Sequence, residues 1–108
     1  DKQVIVLVNH WTGSMGEGIA IGFDALGKTV AGTKMAGLNG AINRFQTSKL
    51  EIPFSLPTEQ LYHINGNPRE NFIPKHLVDP GDPKYKNADD PILTEGIRII
   101  NESGETGK

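Results

Sequence analysis

Cysteine is absent from the sequence, which excludes disulfides and thiolate metal sites but does not choose a compartment. A dominant charge is missing as well: 11 basic residues stand against 13 acidic ones, without a block of either sign. That balance argues against a nucleic-acid or membrane-surface role and favours a neutral partner. No apolar run approaches the roughly 18 residues needed to span a bilayer. Internal repeats and low-complexity tracts are also lacking. A targeting peptide is not expected directly ahead of the apolar segment at Val4, and the natural start is expected to lie upstream of residue 1.

What is present is turn chemistry. Thirteen glycines and seven prolines in a 108-residue chain that is 36% hydrophobic imply many tight turns, hence an α/β or α+β domain with a modest core, or a piece of something larger. Val4 to Val8 is a continuous β-branched run that predicts a central strand buried on both faces. Asn9 to Gly13 breaks it. From Ser14 to Leu26 the apolar residues Met15, Ile19, Phe23 and Leu26 recur at helical spacing, with Gly27 placed to end the helix. Lys28 to Ala31 predicts a second strand, and the glycine-punctuated loop from Gly32 to Gly40 predicts a close backbone approach. Ala41 to Gln46 and Leu50 to Leu56 read as a hairpin. Its second arm alternates Leu50, Ile52, Phe54 and Leu56 with polar residues and Pro53, which predicts one buried face on an edge strand.

Asn65-Gly66 and Asn67-Pro68 mark turns, and Pro80 to Asp90 is a proline-rich connection without periodicity. Asp90-Pro91 opens a helix, an acid at the N-cap followed by proline at the first helical position, with Leu93, Ile97 and Ile100 along one face. Residues 102 to 108 are polar and are expected to fray. Two regions follow: 1–78 as a core and 79–108 as a connection with a terminal helix packing on it.

Trp11 to Gly18 lies between strand and helix, where α/β hydrolytic enzymes present a nucleophile. A serine there holds its hydroxyl at the edge of the sheet, and the amides of the first helical turn face any oxyanion formed by attack on a carbonyl. Ser14 and Glu17 also match a capping box. Both readings stand on spacing alone. Gly22 to Thr29 fits the P-loop pattern letter for letter, but it closes a helix and leads into a strand, the reverse of the arrangement that cradles phosphate. His10, His63 and His76 have no metal-ligand spacing. Glu70, in a turn-rich segment, reads as surface decoration.

Val6 to Asn9, Thr12 to Glu17, Gly32 to Gly40, Pro57 to Tyr62, Gly66 to Pro74 and Asp90 to Leu93 resemble, in order, the catalytic core of the tail-specific (C-terminal processing) serine proteases. The resemblance covers nearly the whole chain, and its most specific part is the strand, Ser-x-x-Glu, helix element. It implies a ClpP/crotonase-like α/β core with a marginal hairpin, of which this chain is the C-terminal part. It further implies peptide hydrolysis through an acyl-enzyme on Ser14, without metal or nucleotide cofactor, and an extracytoplasmic location.

By position, Ser14 is similar to the nucleophile and the Met15 amide to one oxyanion donor, with the other donor upstream of residue 1. The lysine base of the Ser/Lys branch would fall at Leu38, and Lys34 is displaced from that place. The resemblance is closer to the tricorn-like branch, in which Glu70 matches a glutamate that orients a histidine base or its bridging hydroxyl, the histidine lying outside this chain. Three expectations follow: Ser14 at a helix N-terminus facing a concavity, the Glu70 carboxylate near Ser14, and self-association of the chain through its first strand. Superfamily members that bind apolar ligands without turnover supply the rival class, a binding module on the same fold.

Overall fold

The computed structural model describes residues 2–106 and shows a mixed α/β chain. Strand β1 (Ile5–Val8) leads through a tight turn into helix α1 (Met15–Ala25), and β2 (Thr29–Gly32) follows. A two-stranded ribbon, β3 (Gly40–Gln46) and β4 (Pro53–Gln60), precedes the short β5 (His76–Leu77) and the terminal helix α2 (Pro91–Thr106). β1, β2 and β5 form a parallel sheet in that order, with Val8 beside Gly32 and Gly32 beside Leu77. β1 is therefore an edge and not the central strand its composition predicts; of its residues only Val8 is buried.

Alternation along β1 sends its side chains to opposite faces of the sheet. Val6 and Val8 pack with Ala20 and Ile21 of α1, Val30 and Met35, and this small cluster is the core. Full burial of the Val30 side chain contributes about 1.5–3 kcal/mol. Leu7 points the other way, to α2, where a Cβ on Gly96 would lie 2.8 Å from Leu7 Cδ2. Glycine at that position is what lets helix and strand approach.

Both helices form where the sequence predicts, but they turn different faces inward. α1 buries Glu17, Ala20 and Ile21, while Met15, Ile19 and Leu26 are exposed. The inward stripe carries a carboxylate, so apolar periodicity alone picks the wrong face. α2 buries Gly96 and Ile99, with Leu93, Ile97 and Ile100 outward, because the glycine gives the closest approach to β1. Its N-cap is as expected: Asp90 Oδ1 accepts from the amides of Ile92 and Leu93, both at 3.0 Å. The helix runs on through residues 102–106, where fraying was expected; residues 107 and 108, and residue 1, lie outside the described residues. Gly27 at φ 74° ends α1, the Lys28 amide bonding back to the Phe23 carbonyl at 2.9 Å. The proline-rich connection contains one 3-10 turn, Pro83–Tyr85, that buries Tyr85.

The ribbon departs most from expectation. β4 begins at Pro53 and not at Leu50, and every residue of it is exposed, so the predicted apolar face is uncovered. Pro53 pairs on one side only, with Gln46, as a residue without an amide proton must. The arm projects far enough to give extents of 66 × 31 × 21 Å and a radius of gyration of 18.0 Å, against about 13 Å for a compact chain of 100 residues. No helix among the described residues is long and apolar enough to cross a membrane.

Candidate active site

The turn after β1 is closed by its own polar residues. Asn9 Oδ1 accepts from the Trp11 amide at 2.9 Å, and the Asn9 amide donates to Thr12 Oγ1 at 3.0 Å. The chain then reverses so sharply that Ser14, the N-cap of α1, takes φ 53° and ψ −116°. An L-residue pays about 1–3 kcal/mol for such a conformation, which recurs at strained strand-to-helix nucleophile turns. Ser14 is exposed and lines a cleft of 560 Å³ with Leu38, Asn39, Gly40, Ala41, Ile42 and Pro57. Its place at a helix N-terminus facing a concavity is the one the sequence predicts. The neighbouring Met15 amide has no partner among the described residues. It is a free donor at the positive end of a helix, beside the serine.

Glu17 does far more than cap. Fully buried, its carboxylate accepts from the Ser14 amide at 2.9 Å, the Gly37 amide at 2.7 Å and the Leu38 amide at 3.3 Å. Arg69, also buried, has its guanidinium 3.9 Å from Glu17 and donates to the carbonyls of Leu38 at 2.8 Å and Gly40 at 3.0 Å. The wall of the cleft from Gly37 to Gly40 is thus held on both its amide and its carbonyl side. Removing either partner leaves a buried charge uncompensated, at a cost of about 3–5 kcal/mol. At the wall's end the chain passes so close to β4 that a Cβ on Gly40 would sit 1.4 Å from the Glu59 carbonyl oxygen. The close approach expected of this loop occurs at Gly32 too, where φ is 142° and a Cβ would lie 1.8 Å from the Val8 carbonyl oxygen.

Glu70 follows Arg69 in a short 3-10 turn, and its carbonyl oxygen would lie 3.8 Å from a Cβ on Gly37. It is therefore no surface decoration: Oε1 accepts from the Gln60 amide group at 3.3 Å, and Oε2 is buried with no partner. It does not line the Ser14 cleft. No described histidine or lysine is hydrogen-bonded to Ser14. His10 is exposed and packs its ring on Trp11 at 5.2 Å between centroids, and His76 is exposed on β5. Lys34 is exposed, and Leu38, the position at which the resemblance would put a lysine base, lines the cleft.

His63 is buried, with Nε2 3.0 Å from Asp24 Oδ2, Nδ1 accepting from the Asn65 amide at 3.0 Å and Phe72 stacked at 6.2 Å. It ties the segment after the ribbon to the end of α1. Residues 22 to 29, the P-loop look-alike, run from inside α1 into β2, so no helix N-terminus is offered to a phosphate. Among the described residues no three histidine or acidic side chains cluster as metal ligands.

Glu17 as a long-range clamp and Arg69 as its partner were not legible in the spacing. A charged residue flanked by apolar positions on a helix, Glu17 between Ala20 and the turn, was the one signal available. No family model matches the chain, and no curated protein matches it either.

Proposed function

We propose that this chain carries the nucleophile of a serine peptidase of the tail-specific kind, on a ClpP/crotonase-like core, with the base supplied by a segment outside it. The observation that carries the reading is Ser14 itself: strained, exposed in a cleft, and followed by an unpartnered amide. Ser14 Oγ attacks the substrate carbonyl carbon and gives its proton to the base, while the carbonyl oxygen takes the charge and the Met15 amide donates to it. The peptide C–N bond breaks as the base protonates the departing amine. Water then repeats the sequence on the ester and frees Ser14.

Glu70 is kept for the orienting role on its buried, unpartnered Oε2, an available acceptor, although its side chain does not line the Ser14 cleft. The free edge of β1 and the outward apolar residues Met15, Ile19 and Leu26 agree with a core that other segments cover, or that two copies complete by pairing. The walls Leu38, Ala41, Ile42 and Pro57 suit a neutral, apolar peptide side chain beside the scissile bond.

The same apolar cleft, with no histidine or lysine hydrogen-bonded to the serine among the described residues, favours a second reading, a binding module without turnover. Peptide hydrolysis separates the two. A longer polypeptide containing this chain should cleave peptides and lose all measurable activity with Ser14→Ala, while residues 1–108 alone should cleave none. An inactive longer polypeptide that still binds peptide selects the binding module.

A further inference from the structure

We infer that Glu17 and Arg69 are positioning residues for Ser14, holding both the serine's left-handed backbone and the facing wall of the cleft through one buried ion pair. The inference rests on the nucleophile reading for its consequence but not for its geometry.

A residue at φ 53° does not stay there unaided, because its Cβ crowds its own backbone. The Ser14 amide is held by Glu17 Oε2 at 2.9 Å, and the same carboxylate takes the Gly37 and Leu38 amides across the cleft. A carboxylate offers about four lone-pair directions. Three amides occupy most of them, and the Arg69 guanidinium balances the charge from 3.9 Å. Arg69 then grips the far side of the wall through the Leu38 and Gly40 carbonyls, so that Leu38 is held by both its amide and its carbonyl. A capping box asks only for local, reciprocal bonds between Ser14 and Glu17; it needs neither full burial, nor a loop distant in sequence, nor a buried arginine.

Two consequences follow. The Ser14 amide is committed to Glu17 and cannot serve an oxyanion, which leaves the Met15 amide for that task. And the distance from the serine to the cleft wall is set by groups that never touch substrate.

The test uses Glu17→Gln and Arg69→Lys in the peptidase-competent polypeptide, with amide hydrogen exchange followed in the 108-residue chain. Glu17→Gln removes the charge and turns one of the two acceptor oxygens into a donor facing the amides. It should lower kcat by roughly a hundredfold, the loss that a misplacement of about 1 Å brings, while KM moves by less than about threefold. Exchange at Gly37 and Leu38 should quicken at least about tenfold. Arg69→Lys keeps the charge but not the fork, and should shift both readings in the same direction by less.

Wild-type kcat per folded molecule in Glu17→Gln overturns the inference, as does unchanged exchange at Gly37 and Leu38. Should Glu17→Gln fail to fold, wild-type kcat in Arg69→Lys overturns it equally. If the wild-type polypeptide has no activity, the nucleophile reading fails, and the exchange result still decides whether the clamp exists.

Discussion

Replacing Ser14 with glycine should make the protein more stable while abolishing its chemistry. At φ 53° and ψ −116° the serine is strained, and relief of such strain is worth about 1–3 kcal/mol. Against it stand the extra freedom that glycine gives the unfolded chain, about 0.4–1 kcal/mol, and a few tenths for loss of the N-cap hydroxyl. The balance is a gain of about 1 kcal/mol, or a Tm higher by about 4–8 °C for a domain of this size. Ser14→Ala keeps the Cβ and hence the strain, so it should melt at or below the wild type. Differential scanning calorimetry of the three proteins is the assay. A Ser14→Gly variant that melts clearly below the wild type would refute the claim that this backbone is strained and held.

Gly40→Ala should cost about 1–3 kcal/mol in urea unfolding and loosen the ribbon, because the new methyl would meet the Glu59 carbonyl at 1.4 Å; no loss of stability would mean that β3 and β4 are not in contact there. In α2 the Arg98 guanidinium, hydrogen-bonded to Glu95 at 2.5 Å, is the main cause that holds the Glu95 carboxyl down to about 2 from 4.5, with burial opposing and the Tyr85 hydroxyl assisting. A folded-state pKa below the unfolded one gives stability that is complete above about 4.5 and lost as pH falls through about 2. Arg98 is half exposed, so solvent screening limits the effect to about 1 kcal/mol or less. Glu95→Gln should remove this increment of acid sensitivity in a thermal-melt pH series, and an unaltered acid limb would contradict the assignment.

The local grammar of the fold was legible. The β-branched run gave β1, Gly27 ended α1, Asp90-Pro91 opened α2, and Gly32 and Gly40 marked close approaches, because each depends on a residue's own backbone preferences. Facing was not legible. Met15, Ile19 and Leu26 repeat at helical spacing yet point outward, since the inward position is taken by Glu17, whose partners at Gly37 and Leu38 come from another part of the chain. β4 alternates as a half-buried strand does, but nothing in the described chain covers it. At the site, Ser14 could be placed from the strand-to-helix pattern, and the Met15 amide was singled out by the resemblance. Glu70 could be singled out but not located, and Arg69 beside it leaves no spacing signature, because its partners, Glu17 and the Leu38 and Gly40 carbonyls, lie far away in sequence.

The central claim, that Ser14 is a nucleophile whose base lies outside this chain, is tested most directly with a fluorophosphonate serine label. The label is applied to the 108-residue chain and to a longer polypeptide containing it, and the adduct is mapped by mass spectrometry. Serine at its ordinary acidity needs an adjacent base, and losing that base costs several orders of magnitude in rate. The account predicts rapid labelling confined to Ser14 in the longer polypeptide and little in the short chain. Absence of a Ser14 adduct in the longer polypeptide would contradict it, and equally fast labelling of the short chain would show that the base lies within it.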